Sequence, residues 1–246
     1  VTRRCGELRV GTSGFQYDHW RGVLYEPGLP KRRWFERYAE AFDTVEVNNT
    51  FYRLPEAPTF EAWREQAPPD FRYALKFSRY GSHLKRLSDP EASVVLFLER
   101  CERLKSRLGP ILVQLPPHWG VDLERLDGFV RALPRRRRWT LEFRDPSWLC
   151  EEVFALMEEH GVALCVHDML DDHPQRLTTD WTYLRFHGAG GARYAGSYSP
   201  QLLSARARRL REHLDAGCDA YVYFNNDEGG HAVRDARALR RYVEGG

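Results

Sequence analysis

The sequence predicts a (β/α)8 barrel of the TIM type, taken as one domain over residues 1–246. Three observations carry that prediction. The chain has 246 residues, and one such barrel takes about 250. Eight short apolar runs of β type alternate with helix-like stretches, the pattern of a parallel sheet. No Pro/Gly/Ser-rich linker interrupts them. An open doubly wound sheet fits the alternation as well, but eight repeats in this length favour closure.

The elements follow in order. The first run, 8–11, leads through helical spacing over 32–41 to the second run, 44–48. A stretch over 59–67 precedes the third run, 73–77. Asp89-Pro90-Glu91 opens a helix over 90–108, with Pro at its first position, and the fourth run is 111–115. Helical spacing over 122–132 leads to the fifth run, 139–143, and spacing over 150–160 to the sixth, 162–167. Gly161 closes that helix, as Gly217 closes the next. Residues 169–180 read as loop, so no helix is expected before the seventh run, 183–187. Ser199-Pro200 opens a helix over 200–216, the eighth run is 220–225, and 232–243 is the last helix.

Composition narrows the class. Hydrophobic residues make up 42% and charged residues 29%, ordinary for a folded chain. No apolar run approaches the roughly 18 residues that cross a bilayer, so no membrane partner is expected. Net charge is +2, which neither demands nor excludes nucleic acid. The five cysteines form no C-x-x-C pair, and the first residues run into a strand without a leader pattern. Both point to a cytoplasmic protein without a disulfide framework.

Side chains alternate along a strand, so one parity faces the helices and the other the barrel axis. Val45 and Val47 take the helix side and leave Glu46 and Asn48 inward. Leu141 and Phe143 leave Glu142 and Arg144; Leu184 and Phe186 leave Arg185 and His187; Leu75 and Phe77 leave Lys76 and Ser78. The fourth run leaves Gln114, the eighth Tyr223 and Asn225, the first Gly11 and Ser13. The sixth is open between His167 and Asp168. Barrel interiors are usually filled by Val, Ile and Leu, and buried charges are costly unless paired. A polar layer at the C-terminal strand ends therefore reads as a site, with a closed ion-pair network as the competing reading. The chain's four asparagines, Asn48, Asn49, Asn225 and Asn226, end the second and eighth runs, which both flank the first in a closed barrel.

The motifs are Gly11-Thr-Ser-Gly-Phe15 with Trp20; Val45-Glu-Val-Asn-Asn-Thr-Phe-Tyr52; Ala74-Leu-Lys76 with His83 and Leu87; Leu112-Val-Gln-Leu-Pro-Pro117; Leu141-Glu-Phe-Arg144 with Ser147-Trp148; Leu184-Arg-Phe-His-Gly188; and Tyr223-Phe-Asn-Asn226. In this order, over nearly the whole chain, they resemble domain-of-unknown-function family 72, the YecE-like proteins. The resemblance implies a TIM-type barrel and supplies no reaction. Glu46, Asn48, Tyr52, Lys76, His83, Gln114, Glu142, Arg144, Trp148, Arg185, His187 and Asn226 fall on the family's motif positions. Ser82 stands where the family usually has Thr, and Asp235-Ala236 where it usually has Asn-Ala; both keep a polar group.

Three chemistries compete for these residues. Glu46 and Glu142 form a candidate acid–base pair, with His187 as proton shuttle, if their surroundings split their pKa values. Glu46, Glu142, His83, His167, Asp168 and His187 have the composition of a metal site. They lack a compact ligand motif, and Lys76, Arg144 and Arg185 would repel a cation, so no metal is expected and the cofactor is left open. Gly188 opens a glycine-rich loop, 188–191, whose amides, with Arg185, Arg193, Asn225 and Asn226, make a candidate anion site. Of the aromatics after strand ends (Phe15, Tyr17, Trp20, Tyr52, Tyr80, Trp119, Trp148, Tyr194 and Tyr198), no more than about three are expected to touch a ligand by stacking. The run Arg135-Arg-Arg-Arg138 reads as a solvated loop at the opposite end, and His19, His160, His173 and His213 as surface residues.

The leading reading is an enzyme using acid–base chemistry on a phosphorylated, sugar-like or nucleotide-like ligand, so the expected partner is a small anionic or polar molecule. The alternatives are a nucleic-acid-binding barrel, metal-dependent and hydrolysing phosphodiesters, and a non-catalytic ligand-binding or scaffold protein. Oligomeric state is left open.

Overall fold

All eight runs become strands in the computed structural model, which describes residues 4–189 and 194–245. They are β1 (Leu8–Ser13), β2 (Thr44–Val47), β3 (Arg72–Lys76), β4 (Leu108–Gln114), β5 (Trp139–Glu142), β6 (Ala163–His167), β7 (Trp181–Phe186) and β8 (Asp219–Phe224). The order runs from β1 to β8 and closes, with β1 beside β8 in parallel register, Gly11 opposite Tyr223. The fold is the (β/α)8 barrel. Gly11 sits in β1 because a Cβ there would lie 2.2 Å from the Thr44 carbonyl oxygen.

The helices are α1 (Trp34–Ala41), α2 (Asn49–Tyr52), α3 (Ala57–Gln66), α4 (Pro90–Cys101), α5 (Leu123–Ala132), α6 (Glu151–His160), α7 (Pro200–Asp215) and α8 (His231–Glu244). Two starts are capped as their sequences ask: Asp122 accepts from the Arg125 amide at 3.1 Å, and Ser199 from the Leu202 amide at 3.2 Å. The helix expected over 90–108 is shorter. It ends at Cys101 and continues as a 3-10 segment, in which Lys105 turns to φ 53°. α2 was not expected, because four residues are too few to show a period. Residues 169–180 hold no helix, as the sequence reading had it.

The chain divides into two compact units, one of Val1–Glu46 with Asp180–Gly246 and the other of Val47–Thr179. In the first, α7 packs on α8 and α8 on β1. Ala232, Val233, Ala236, Leu239 and Val243 make the buried stripe of α8 at helical spacing. Arg240 ties that helix down, donating to the Val10 carbonyl at 2.9 Å and to Asp43 at 2.8 Å. In the second unit, Phe77 leaves β3 on the outward parity, its ring edge-on to Phe97, Phe129 and Trp139. Burying each such ring stabilises the unit by about 1.5–3 kcal/mol.

The arginine run lies before β5, where Arg136 and Arg137 pair with Glu102 and Arg135 caps the Glu159 carbonyl at 2.8 Å. It is a loop whose charges are partly neutralised. No described helix is long and apolar enough to cross a membrane.

Candidate functional site

Each unit carries its own polar cluster at the C-terminal strand ends. In the first, Glu46 of β2 is fully buried. One of its oxygens accepts from Ser13 Oγ of β1 and from Arg185 of β7 at 2.8 Å, and the other from the Tyr183 hydroxyl at 2.6 Å. Arg185 Nη2 also reaches Ser13 Oγ at 3.4 Å. Burial and the Glu46 charge hold the Tyr183 phenol well above its ordinary pKa, so it stays a donor. Tyr183 shares the inward parity of Arg185 and His187, the signal by which the sequence marks it. Below this layer, Tyr223 and Thr44 join their hydroxyls at 2.7 Å.

The loops after β7 and β8 are built from internal bonds. The Gly188 amide donates to the Tyr198 hydroxyl at 2.6 Å, and the Tyr194 amide to the His187 carbonyl at 2.8 Å. Gly188 has φ 120°, and a Cβ there would lie 2.4 Å from the Ala195 oxygen, so only glycine fits. Arg193 and residues 190–191 of the glycine-rich loop lie outside the described residues. Asn226, expected to meet a ligand, is fully buried and donates to the Gly196 carbonyl at 2.8 Å and to Asp235 at 2.7 Å. Asp235 also accepts from the Ser197 hydroxyl and the Tyr198 amide. The Asn226–Asp235 pair thus pins the post-β7 loop to α8. Asn225 is half-buried at the end of β8, and His187 is buried.

The second unit is arranged differently. Lys76 of β3 donates to Gln114 Oε1 at 3.0 Å, and Gln114 Nε2 donates to Glu142 at 2.8 Å. Arg144, past the end of β5, pairs with the same Glu142 oxygen. Gln114 and Glu142 stand opposite each other in the β4–β5 register, as the inward parity requires. Asn48 is half-buried at the end of β2. α2 then folds over β3 because Thr50 Oγ1 bonds the Lys76 carbonyl at 2.7 Å. This sets Phe51 4.3 Å beneath the Lys76 ammonium and leaves Tyr52 77% exposed.

His83 lies on a single π-type turn, Tyr80–Leu84, a feature common at functional sites. Its ring is edge-on to Phe51, with centroids 4.9 Å apart. Burial, with Lys76, Arg79 and Arg144 nearby, pushes its pKa down to about 4, so it is neutral at pH 7. The single Ser82 Oγ proton goes to the Ser78 carbonyl at 2.9 Å, and Ser82 Oγ lies 3.0 Å from His83 Nδ1. Nδ1 must then carry the ring proton, which leaves Nε2 as an acceptor.

Several expectations change here. Trp148, expected to meet a ligand, is fully buried, stacked 5.2 Å from Phe143, with its indole N–H on the Trp119 carbonyl at 2.6 Å. His167 takes the buried course and Asp168 the exposed one. His167 Nδ1 accepts from the Met169 amide and Nε2 reaches the Phe143 carbonyl at 2.7 Å, so backbone holds both nitrogens. Burial pushes its pKa down to about 4. His173 is buried against the His167 ring instead of lying at the surface. Among the described residues no three His, Cys, Asp or Glu side chains gather as a metal site. Of the nine aromatics, Tyr52, Tyr80 and Tyr194 are exposed, while Trp20, Trp119, Trp148 and Tyr198 are buried.

A family model described as "Protein of unknown function DUF72" matches residues 9–245. UPF0759 protein YecE of Escherichia coli strain K12 is 36% identical over 147 residues, 57% of this chain and 54% of that protein. The chain thus spans about half the length of that relative. UPF0759 protein YunF of Bacillus subtilis strain 168 is 24% identical, over 96% of this chain and 95% of that one. The crystal structure of a DUF72 family protein from Thermotoga maritima superposes with a TM-score of 0.86 at 29% identity, covering 97% of this chain and 99% of that one. A DUF72 family protein from Enterococcus faecalis gives 0.79 at 19% identity, covering 96% and 95%, a likeness of fold.

Proposed function

This chain belongs to the DUF72 family, and we propose that it is an enzyme that performs acid–base chemistry on a small anionic ligand at the strand ends of β3, β4 and β5. The observation that carries this reading is the Lys76–Gln114–Glu142–Arg144 chain beside His83. It joins a fully buried carboxylate to two cations and stands beside a neutral imidazole with an open acceptor nitrogen. Lys76 and Arg144 hold the anionic group, Arg144 through its planar fork. His83 Nε2 accepts from a ligand hydroxyl. Glu142 gives or takes the proton, and Gln114 fixes its orientation. Tyr52 supplies an exposed ring for a sugar or base. A phosphorylated sugar or a nucleotide offers all of these features. Glu46, a candidate for the same chemistry in the sequence, is left to a structural role.

The test is a panel of sugar phosphates and nucleotides, with turnover followed by proton NMR. At least one compound should be converted by the parent chain and left intact by Glu142→Gln, with Lys76→Gln raising KM. A compound that needs Lys76 and Arg144 for binding yet is recovered unchanged would replace the enzyme with the non-catalytic binding reading. That second reading has one observation in its favour: the other carboxylate, Glu46, is held by three protein donors.

A further inference from the structure

We propose that α8 carries a second ligand site, a pocket for a small molecule that joins a phosphate or carboxylate to a flat apolar body. No residue of this pocket belongs to the Glu142 cluster. A cavity of about 640 Å³ opens between the end of α1, the start of α7 and α8, a volume typical of small-molecule sites. Four arginines of α8 line it, Arg234, Arg237, Arg240 and Arg241.

Two of the four are spent on the fold. Arg240 holds Val10 and Asp43, and Arg234 donates to the Gly229 carbonyl at 2.7 Å. Arg237 and Arg241 are not. Among the described residues neither guanidinium has a hydrogen-bond acceptor or a carboxylate. They stand four residues apart, one above the other on the helix face, where like charges destabilise. The charges that act on Arg237 are Arg37 and Arg241, both positive, and with burial they push its pKa down. Elsewhere some arginines are matched, Arg33 with Glu36, Arg131 with Asp127 and Arg176 with Glu151 and Glu158, while others, such as Arg32 and Arg53, stand singly at the surface; only on α8 do two without a carboxylate line one cavity among the described residues. Asp235 also lines the cavity, but its oxygens face Ser197, Tyr198 and Asn226, and it is not among the charges that act on Arg237.

The rest of the lining suits an apolar body. Phe42 lies 5.9 Å from the Arg237 and Arg240 guanidiniums, and Pro200, Leu203 and Tyr242 complete the wall. Two unmatched planar guanidiniums over such a wall hold an oxyanion through paired N–H donors, with a flat ring against Pro200 and Tyr242.

The experiment titrates the whole chain with phenyl phosphate, with inorganic phosphate and with phosphatidylglycerol vesicles, read by calorimetry and co-sedimentation. Phenyl phosphate should bind at least tenfold more tightly than inorganic phosphate. It should weaken at least tenfold in Arg237→Gln and in Arg241→Gln, and be indifferent to Lys76→Gln. Arg241→Gln relieves like-charge repulsion, so its melting temperature should equal or exceed the parent's, which separates lost binding from lost fold. Binding unchanged by both arginine substitutions overturns the proposal, as does capture by vesicles without binding of either small anion. Binding lost in Lys76→Gln but kept in the α8 variants also overturns it, and moves the anion to the Glu142 cluster.

Discussion

Glu46 and Glu142 start from the same position in the sequence logic. Each is an inward carboxylate at the end of a strand, fully buried and paired with an arginine. Glu46 takes its donors from Ser13, Tyr183 and Arg185, all on strands and all within the closed layer. Glu142 takes its arginine from beyond the strand end, where the Arg144 side chain is 14% exposed, and neighbours a half-buried His83. An ion pair between strand residues is a strut, because neither charge can reach water. The same pair shifted two residues up the chain keeps one partner at the solvent edge, where it can exchange a protein partner for a ligand.

The largest effect that tests this contrast is on Glu46. Glu46→Ala leaves the Arg185 charge buried without its partner and should cost about 3–5 kcal/mol, measured by urea unfolding. A loss below about 1 kcal/mol would remove the strut assignment.

Next in size is acid. His167 titrates near 4 in the folded chain against an ordinary 6.5. Between those values the unfolded chain binds more protons, so stability rises with pH. The contribution, about 3 kcal/mol, is complete above pH 6.5 and lost as pH falls toward 4. Subtracting the unfolding profile of His167→Gln from the parent's isolates it. A flat difference from pH 7 to 4.5 would contradict the burial argument. His83 adds in the same direction, so hydrogen-exchange protection factors, corrected for intrinsic rates, should fall at pH 4.5 in β5 and β6 before β1 and β8.

Glu142→Gln should be milder for folding, about 1 kcal/mol, since Arg144 can turn to water. It should abolish turnover all the same. A stability loss matching that of Glu46→Ala would make the two clusters equivalent and end the distinction. The smallest effect is at Tyr52: Tyr52→Ala should stay within about 0.5 kcal/mol of the parent in stability and weaken ligand binding severalfold. Unaltered binding would confine the site to the charged residues.

Much of this was readable from residue order alone, because strand parity and helix spacing are local properties. The alternation in Val45-Glu46-Val47, Leu141-Glu142-Phe143 and Leu184-Arg185-Phe186 reports two chemically different faces of one strand. From that follow the eight strands and the inward set; closure rested on eight repeats in a chain of 246 residues. The helix over 90–108 was too long by about two turns, because the 3-10 segment after Cys101 and the positive φ of Lys105 have no sequence signature.

What parity could not decide is which inward groups meet. Only the packed chain shows Tyr183 completing the shell of Glu46, the Trp119 carbonyl taking the Trp148 indole, or Asp235 holding Asn226 across the turn into α8. Each of these depends on a partner far away in sequence or on a loop's path, and neither has a period. Composition set how many charges the chain holds. Tertiary structure decided which were closed off in pairs, as at Glu46, and which stood open, as at Arg237, because pairing depends on distance and burial, and both are properties of the folded chain.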